Sequence, residues 1–420
     1  MIKSVTGTND ILPSDIHKWH FLEDQIREIF SLHNYKEIRT PIFESTNLFS
    51  RGIGEGTDIV SKEMYTFNDR SGESLTLRPE MTASVVRAFI EHSLEKKLNV
   101  NKLYYVGAMF RQERPQAGRF RQFHQFGAEA LGSHDPSLDA EMIIMAYDIF
   151  YRLGLKNLVV KINSLGIPEC REEYRKELKS FIAPHFNELS TESKKRFDTN
   201  ILRVLDSKDE RDQSIVVDAP VLLNFLDDES KNHFDYVQKV LANSNIPFEI
   251  DPKLVRGLDY YTHTTFEVIS GSVGSQSALC GGGRYNGLIK ELGGSDLPGV
   301  GFASGMERVL LACENENSLV IPDKNLDLYL ILIEKELKEF AFQKLIEMRR
   351  RGLSVELDYQ TRSIKAQMRE ANKLNARFAL FIGGEEFSRN ELVLKNMSTG
   401  EQVIFNSTDF ENILQKIKEN

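Results

Sequence analysis

Two long stretches of alternating character flank Pro115-Gln116-Ala117-Gly118, and they constrain the fold more than any other feature of the chain. Side chains on a strand point to opposite faces in turn. Residues 102–113 and 120–131 therefore read as the arms of one long antiparallel hairpin. In the first arm Tyr104, Val106, Ala108 and Phe110 share one face, and Arg111 and Glu113 share the other. In the second arm Phe120, Gln122, His124, Phe126, Ala128 and Ala130 share one face. Arg119, Arg121, Phe123, Gln125, Gly127 and Glu129 share the other. The more apolar faces suit packing against helices. The polar faces collect cations, carboxylates, an amide and one aromatic ring, which makes them either a solvated sheet surface or a platform for a ligand.

The rest of the chain sets the frame for that hairpin. Its 420 residues exceed one ordinary core and imply two or three domains. A hydrophobic fraction of 41% and a charged fraction of 27% are those of a soluble globular protein. The net charge of −9 argues against binding nucleic acid through bulk charge, while leaving room for a local basic site. Cys170, Cys280 and Cys313 are far apart and odd in number, which fits a reducing compartment and offers no metal-ligand spacing. MIKSVTGTNDILPSD lacks the apolar centre of a signal peptide, and no run of 18 apolar residues occurs. The expectation is a cytoplasmic protein with no membrane segment.

Pro13-Ser14 opens an amphipathic helix over about 15–33, with Ile16, Phe21, Leu22, Ile26, Ile29 and Phe30 as its stripe. YKEIRTPIFE reads as a strand whose Pro41 suits an edge or interface. A loop, RGIGEGTD, leads to strands near 63–67 and 75–78, then a helix over 82–95. Beyond the hairpin lies a helix over 137–153. Charged helical segments such as CREEYRKELKSFI and ESKNHFDYVQKVLANSN mark a helical insertion at about 170–245. Strands near 260–269 and 277–280 resume the sheet, and GVGFASGMERVLLACE closes it by passing from strand to helix. The polar run at 314–318, followed by Pro322-Asp323, marks a boundary. After it LDLYLILI, ELKEFAFQKLIEMRRRG, LSVELDY, SIKAQMREANKLNA and RFALFIGG alternate strand with helix, a βαβ pattern with parallel pairs. Gly352 stands at a helix C-terminus, and a last hairpin turns at Ser398-Thr399-Gly400. The fold expected is an α+β domain over 1–321, an antiparallel sheet flanked by helices and carrying the insertion, followed by an α/β domain over 322–420.

As a platform, the polar hairpin face suits ATP. Arginine forks match phosphate oxygens. Phe123 offers a flat face to a purine, and Glu113 accepts from an exocyclic amine. FRQERPQAGRFRQF resembles the second signature motif of class II aminoacyl-tRNA synthetases. GVGFASGMERVLL resembles the third, with Arg308 the motif arginine, and YKEIRTPIFE fits the loose first motif around Pro41. LVRGLDYYTHTTFE, GGGRYNGL and the opening TGTNDILP are similar to stretches of the histidyl-tRNA synthetase family within that class. The resemblance spans nearly the whole chain.

The resemblance implies activation of L-histidine by ATP to histidyl-adenylate and transfer to tRNA(His), with the first unit as catalytic domain and the second as anticodon-binding domain. It assigns Arg111 to the ATP α-phosphate and the substrate carboxylate. Glu113 and Phe123 take the adenine, with Arg308 on the other ring face, and Arg119 and Arg121 reach the outer phosphates. Glu80, Met81, Thr82 and Gln125 meet the α-amino group. Glu129 and Tyr261 hydrogen-bond the imidazole, whose two ring nitrogens each donate or accept. Tyr260 and Tyr285 shape that pocket. Gly281-Gly282-Gly283 is either a tight turn or backbone lining a ligand; its spacing is not a dinucleotide fingerprint. Arg256 faces Arg111 across the α-phosphate and contacts the amino acid. The carboxylate nucleophile is already ionised, so the step needs positioning and charge neutralisation rather than a base. Mg²⁺ sits on the ATP phosphates, with no dedicated protein cage.

Arg114 and Gln116 at the hairpin tip are assigned to the tRNA acceptor end, and the insertion to the acceptor arm. In the last domain Arg349, Arg350, Arg351, Arg362, Lys365 and Arg369 are candidates for phosphate contacts. A homodimer is expected through the first-motif helix and the Pro41 strand. The alternative is a non-catalytic relative, the regulatory subunit of ATP phosphoribosyltransferase. That family typically lacks the C-terminal domain and departs at catalytic arginines, whereas Arg111, Arg256 and Arg308 are all present here. A third reading is an unrelated ATP-dependent acyl-adenylating enzyme, against which RGLDYY and the Glu129/Tyr261 pair argue.

Overall fold

The alternating segment becomes the middle of an eight-stranded sheet in the computed structural model, which describes every residue except 55, 56, 117, 259, 273–277, 322–324 and 420. Two compact units are formed, Met1–Ile321 and Pro322–Asn420. The strands of the first unit are β1 (Lys36–Glu37), β2 (Phe43–Ser45), β3 (Tyr65–Asn68), β4 (Ser74–Leu77), β5 (Asn101–Phe110) and β6 (Gln122–Leu131). They continue with β7 (Leu158–Ser164), β8 (Phe248–Ile250), β9 (Thr262–Ser270), β10 (Ala278–Arg284) and β11 (Gly299–Gly305). The large sheet runs β1-β5-β6-β11-β10-β9-β7-β8, and β2-β4-β3 form a small sheet of their own. The central pairs are antiparallel, while β1 on β5 and β8 on β7 are parallel, so the sheet is mixed at its two edges.

Period-two alternation explains the two faces. Tyr104, Phe126, Ala128 and Ala130, with Val300 and Phe302 of β11, bury against the helices Ile16–Leu32 and Pro136–Arg152 through Leu22, Ile26, Phe30, Met142, Ile143 and Phe150. Each large apolar side chain buried there contributes roughly 1.5–3 kcal/mol. The second helix starts where Asp135 caps the Ser137 amide at 2.9 Å and Pro136 takes the first position. The opposite face carries Tyr105, Met109, Phe123, Gln125, Gly127 and Glu129 beside Gly301, Ala303 and Gly305.

Several boundaries differ from the sequence reading. β5 ends at Phe110 and β6 begins at Gln122, so Arg111, Glu113, Arg119, Phe120 and Arg121 lie on the connecting loop. The Arg111 amide continues the pairing to the Arg121 carbonyl at 2.9 Å, the Gln112 amide turns away to the Glu63 carbonyl at 2.7 Å, and an isolated antiparallel bridge joins Gln116 and Arg119 at the tip. YKEIRTPIFE splits into β1 and β2 because Pro41 has no amide hydrogen and the Arg78 guanidinium takes the carbonyls of Thr40, at 2.8 Å, and Pro41, at 3.2 Å. Part of the expected RGIGEGTD loop is the end of a helix, Thr46–Ile53. The helix opened by Thr82 stops at Glu91. Gly281-Gly282-Gly283 is extended strand within β10 rather than a turn. β7 and β8 are additional strands. Of the expected features, residues 55 and 56 of that loop, Ser277 and the boundary at Pro322-Asp323 lie outside the described residues.

Between β7 and β8 the chain is helical. Tyr174, Leu178, Ile182, Leu189 and Leu202 of this segment cluster with Tyr260, Tyr261, Tyr285 and Leu288. The helix Asp228–Asn243 packs instead on the main core through Phe234, Val237 and Leu241. The second unit is a five-stranded sheet in the order β13-β12-β14-β15-β16, from β12 (Leu328–Leu332), β13 (Val355–Leu357), β14 (Phe378–Ile382), β15 (Glu391–Asn396) and β16 (Gln402–Asn406). β12 is parallel to both β13 and β14. The helices Lys338–Arg350, Ile364–Lys373 and Phe410–Lys418 accompany it, the last not foreseen. Gly352, at φ +89°, follows the end of the first of these.

Candidate active site

The polar face of β6, β11 and β10 forms the floor of a cavity of about 240 Å³. It is lined by Glu80, Thr82, Gln125, Glu129, Tyr260, Tyr261 and Tyr285 at one end, and by Arg111, Glu113, Arg119, Phe123, Arg256 and Arg308 at the other. Arg111, Glu113, Arg119, Arg256 and Glu267 also border a larger cleft of about 980 Å³. Residues of the segment between β7 and β8, among them Lys195, Arg196, Arg203 and Lys208, form another side of that cleft.

Glu129 is buried on β6. Thr82 Oγ1 donates to its Oε1 at 2.7 Å, the Tyr105 hydroxyl reaches the same oxygen at 3.4 Å, and the Tyr285 hydroxyl donates to Oε2. Burial pushes the carboxyl up to about 8, against the pull of these hydroxyl donors and with a further push from Glu80. Its space comes from β11: a Cβ at Gly301 would collide with the carboxylate. A Cβ at Gly299 would likewise strike the Tyr285 ring. Burial holds the Tyr285 and Tyr260 phenols well above the usual tyrosine range, so both remain donors. The Tyr260 ring lies 4.7 Å from that of Tyr261 and 5.5 Å from that of Tyr285, centroid to centroid.

Glu80 accepts the amides of Thr82 at 2.7 Å and Ala83 at 2.9 Å, at the start of the helix Thr82–Glu91. The helix end favours its charge, yet burial leaves the carboxyl raised. Gln125 Oε1 and Arg256 Nε are buried with no hydrogen-bond partner among the described residues. Buried polar atoms are seldom left so. Both residues line the cavity, so a ligand offering a donor to Gln125 and an acceptor to Arg256 fits it.

Arg256 Nη1 donates to Glu267 at 2.5 Å, and its guanidinium carbon lies 5.7 Å from the Tyr261 ring centroid. A Cβ at Gly281 would collide with that guanidinium, so Gly281 in β10 is the seat of Arg256. Arg111 Nε donates to the Pro79 carbonyl at 2.8 Å, and its guanidinium carbon stands 5.4 Å from the Phe123 ring centroid. Glu113 takes a hydrogen bond from Arg119 at 3.1 Å. Arg308, from the helix after β11, donates to the Ala278 carbonyl at 2.8 Å.

Two assigned residues do not reach the cavity. Arg121 faces the N-terminal segment: its amide donates to the Gly7 carbonyl at 2.7 Å and its Nη1 to the Thr6 carbonyl at 3.3 Å. Met81 packs with Val85, Tyr105 and Met109 beneath the floor. Arg114 and Gln116 are exposed on the loop, as expected of a tip. In the second unit Arg349 donates to the Val355 carbonyl, Arg351 pairs with Glu411, and Arg362 pairs with Asp358 at 2.6 Å. Arg350, Lys365 and Arg369 are exposed. Tyr105 and Glu267 escaped the sequence reading. The signal for Tyr105 was present: register puts it opposite Gly127, where a Cβ would collide with its hydroxyl.

The model of the histidyl-tRNA synthetase family matches residues 7–309, and that of an anticodon binding domain matches residues 327–420. A histidine–tRNA ligase of Halothermothrix orenii is 50% identical over 402 residues, covering 96% of each chain. That of Listeria innocua is 49% identical over 416 residues, covering 98% of each. The crystal structure of apo S. aureus histidyl-tRNA synthetase matches with a TM-score of 0.84 at 40% identity, covering 100% of both chains.

Proposed function

We propose, because the chain belongs to the histidyl-tRNA synthetase family, that it activates L-histidine with ATP and transfers the histidyl group to tRNA(His). The observation that carries this reading is the buried Glu129 carboxylate, ringed by the hydroxyls of Thr82, Tyr105 and Tyr285, at the end of a cavity whose other end holds Arg111, Arg256 and Arg308. A carboxylate with its oxygens fixed by hydroxyls offers a defined acceptor to an imidazole N–H.

In the first step a histidine carboxylate oxygen attacks the α-phosphorus of ATP. The bond from that phosphorus to the bridging oxygen breaks, and pyrophosphate leaves. Arg111 and Arg256 neutralise the charge that develops there, Arg256 through the Nε that has no partner among the described residues. Glu80, Thr82 and Gln125 take the α-ammonium group, and Glu129 and Tyr261 take the ring. Phe123, Glu113 and Arg308 hold the adenine, which must displace Arg111 from the Phe123 face or stack beside it. Arg119 meets the outer phosphates. Mg²⁺ bound to those phosphates would neutralise part of their charge. Among the described residues no group of three or more His, Cys, Asp or Glu side chains is placed to hold a metal. In the second step the acceptor end of tRNA enters by the larger cleft, past Arg114 and Gln116, and the second unit binds the anticodon arm.

The chain works as a homodimer on this reading. Ile42, Phe43 and Phe67 leave apolar surface exposed beside Pro41, as a two-fold interface requires. It works in the cytoplasm, in keeping with three free cysteines. No helix among the described residues is long and apolar enough to cross a membrane. The regulatory-subunit alternative is disfavoured by the three arginines in the cavity and by the second unit. Histidine-dependent ATP–pyrophosphate exchange, run beside the other amino acids, tests the proposal. Exchange with histidine alone is expected. No exchange, or exchange with another amino acid, would overturn it.

A further inference from the structure

We infer that Arg171, on the first helix after β7, is a positioning residue that holds Tyr261 at the amino-acid pocket and ties it to the helical segment between β7 and β8. The inference rests on the reading of Tyr261 as an imidazole contact. Arg171 lies on the helix Pro168–Ile182, and its Nη1 donates to the Tyr261 carbonyl at 2.5 Å.

The backbone explains why Tyr261 needs such a tether. β9 and β10 pair Gly283 with Thr265 and then Arg284 with Thr262, so His263 and Thr264 bulge out of that ladder. His263 sits at φ +44°, in the left-handed region that a non-glycine residue seldom adopts. The sheet alone does not hold it there. Its amide donates instead to the Gly166 carbonyl at 2.9 Å, and its carbonyl accepts the Leu165 amide at 2.7 Å. Leu165 and Gly166 directly precede the helix of Arg171. Gly166 is itself close-packed, since a Cβ there would lie 2.8 Å from Leu226 Cδ2 and 3.1 Å from Cys170 Cβ. The residues from Tyr261 to His263 are thus fixed from the root of the helical segment, twice through His263 and once through Arg171. A cavity of about 350 Å³ is bordered by Arg171, Tyr260, Thr262 and His263. On the other side the Tyr261 ring faces the guanidinium of Arg256. The same helical segment also lines the larger cleft through Arg196 and Arg203. A displacement of that segment is therefore transmitted to the amino-acid end of the cavity.

The test is ATP–pyrophosphate exchange with Arg171→Met, Arg171→Lys, Tyr261→Phe and the double variant Arg171→Met/Tyr261→Phe, each with a melting curve. Arg171→Met is expected to raise the KM for histidine about tenfold while the KM for ATP stays within about twofold. Arg171→Lys is expected to recover most of the loss. The double variant is expected to be little worse than the more severe single variant, because two residues acting through one contact are not additive. Equal rises in both KM values, or additive effects, would overturn the inference. Tyr261→Phe with an unchanged KM for histidine would overturn the reading of Tyr261 itself. If Tyr261→Phe raises that KM and Arg171→Met does not, the role of Arg171 alone fails.

Discussion

Tyr285, at the end of β10, donates its phenol to Glu129 on β6, across the strand β11 that lies between them in the sheet. β11 permits the contact because Gly299 and Gly301 leave room for the ring and the carboxylate. The two residues form one unit, in which the phenol holds one carboxylate oxygen while Thr82 holds the other. Glu129→Gln keeps the shape but cannot ionise, so the carboxylate that accepts the imidazole N–H when histidine binds is lost. The substitution should raise the KM for histidine by the worth of a charge-assisted hydrogen bond, about 1.5–3 kcal/mol, and change that for ATP far less. Exchange kinetics with each substrate varied in turn decide it. Equal losses for both substrates would move Glu129 from the pocket to the general fold.

The same carboxyl predicts a pH dependence of stability in the histidine-free protein. Burial raises its folded-state value to about 8 from the ordinary 4.5. The native state then holds a proton that the unfolded chain has released, so ionisation opposes folding as pH climbs from about 4.5 to about 8. Glu129→Gln removes this term. The melting temperature of the variant relative to the parent should therefore rise across that window and level off above it. A constant difference from pH 5 to pH 8 would count against a raised Glu129.

The polar and apolar faces of the central hairpin were legible because alternation at period two is a local property of the sequence. Where the hairpin ends was not legible. Arg111 and Arg121 leave the strands because Glu63 and Gly7, remote in sequence, capture the backbone of the loop. β7 carries no local sign of its place either, since its partner β9 lies about a hundred residues on. Of the site, Glu129, Gln125 and Phe123 could be placed on one face by alternation, whereas Glu80, Arg256, Tyr261 and Arg308 come together only in the fold. Their roles were readable through motif resemblance, not through spacing. The glycine run at 281–283 misled as a possible turn, because a glycine chosen for empty space looks in sequence like one chosen for a bend.

In the segment between β7 and β8, buried Asp212 accepts hydrogen bonds from Ser190 Oγ, Ser193 Oγ and Ser207 Oγ, each at 2.6 Å, and from the Ser190 amide at 2.8 Å. Burial would raise this carboxyl, but the four donors together hold it down at about 2. A depressed folded-state value contributes stability that is present above the ordinary 3.8 and is lost as pH falls through about 2. Asp212→Ala should destabilise this segment at pH 7 by about 1–3 kcal/mol, the cost of stranding buried donors, and should flatten acid unfolding between pH 4 and pH 2. Hydrogen exchange across 190–212 at both pH values would register the change. Unaltered protection there would show that the serines hold the segment without Asp212.

Because the chain forms two compact units, deletion of 322–420 should leave a folded first unit that still makes adenylate. Charging of tRNA(His) should fall severely, since the part matched by the anticodon binding domain model is gone. A soluble truncation that charges tRNA at the full-length rate would remove the anticodon role from the second unit. Its melting curve and pyrophosphate exchange, measured together, separate loss of folding from loss of tRNA binding.

The seat of Arg256 gives the sharpest test of the proposed chemistry. If its guanidinium stabilises charge developing at the α-phosphorus, Arg256→Ala should slow adenylate formation about 10²–10³-fold, with histidine and ATP binding much less affected. Lysine should restore only part of this, because it keeps the charge and loses the fork. Gly281→Ala should act in the same direction without touching the arginine, since the added methyl occupies the place of the guanidinium. Its backbone stays compatible, because Gly281 is not among the positive-φ glycines. The effect of Gly281→Ala should largely vanish in an Arg256→Ala background, where the space is empty. Pre-steady-state adenylate formation in the two single variants and the double variant measures this. Near-parent rates for a folded Arg256→Ala protein would end the catalytic assignment. A Gly281→Ala effect that persists undiminished in the double variant would show that the glycine serves the substrate directly rather than Arg256.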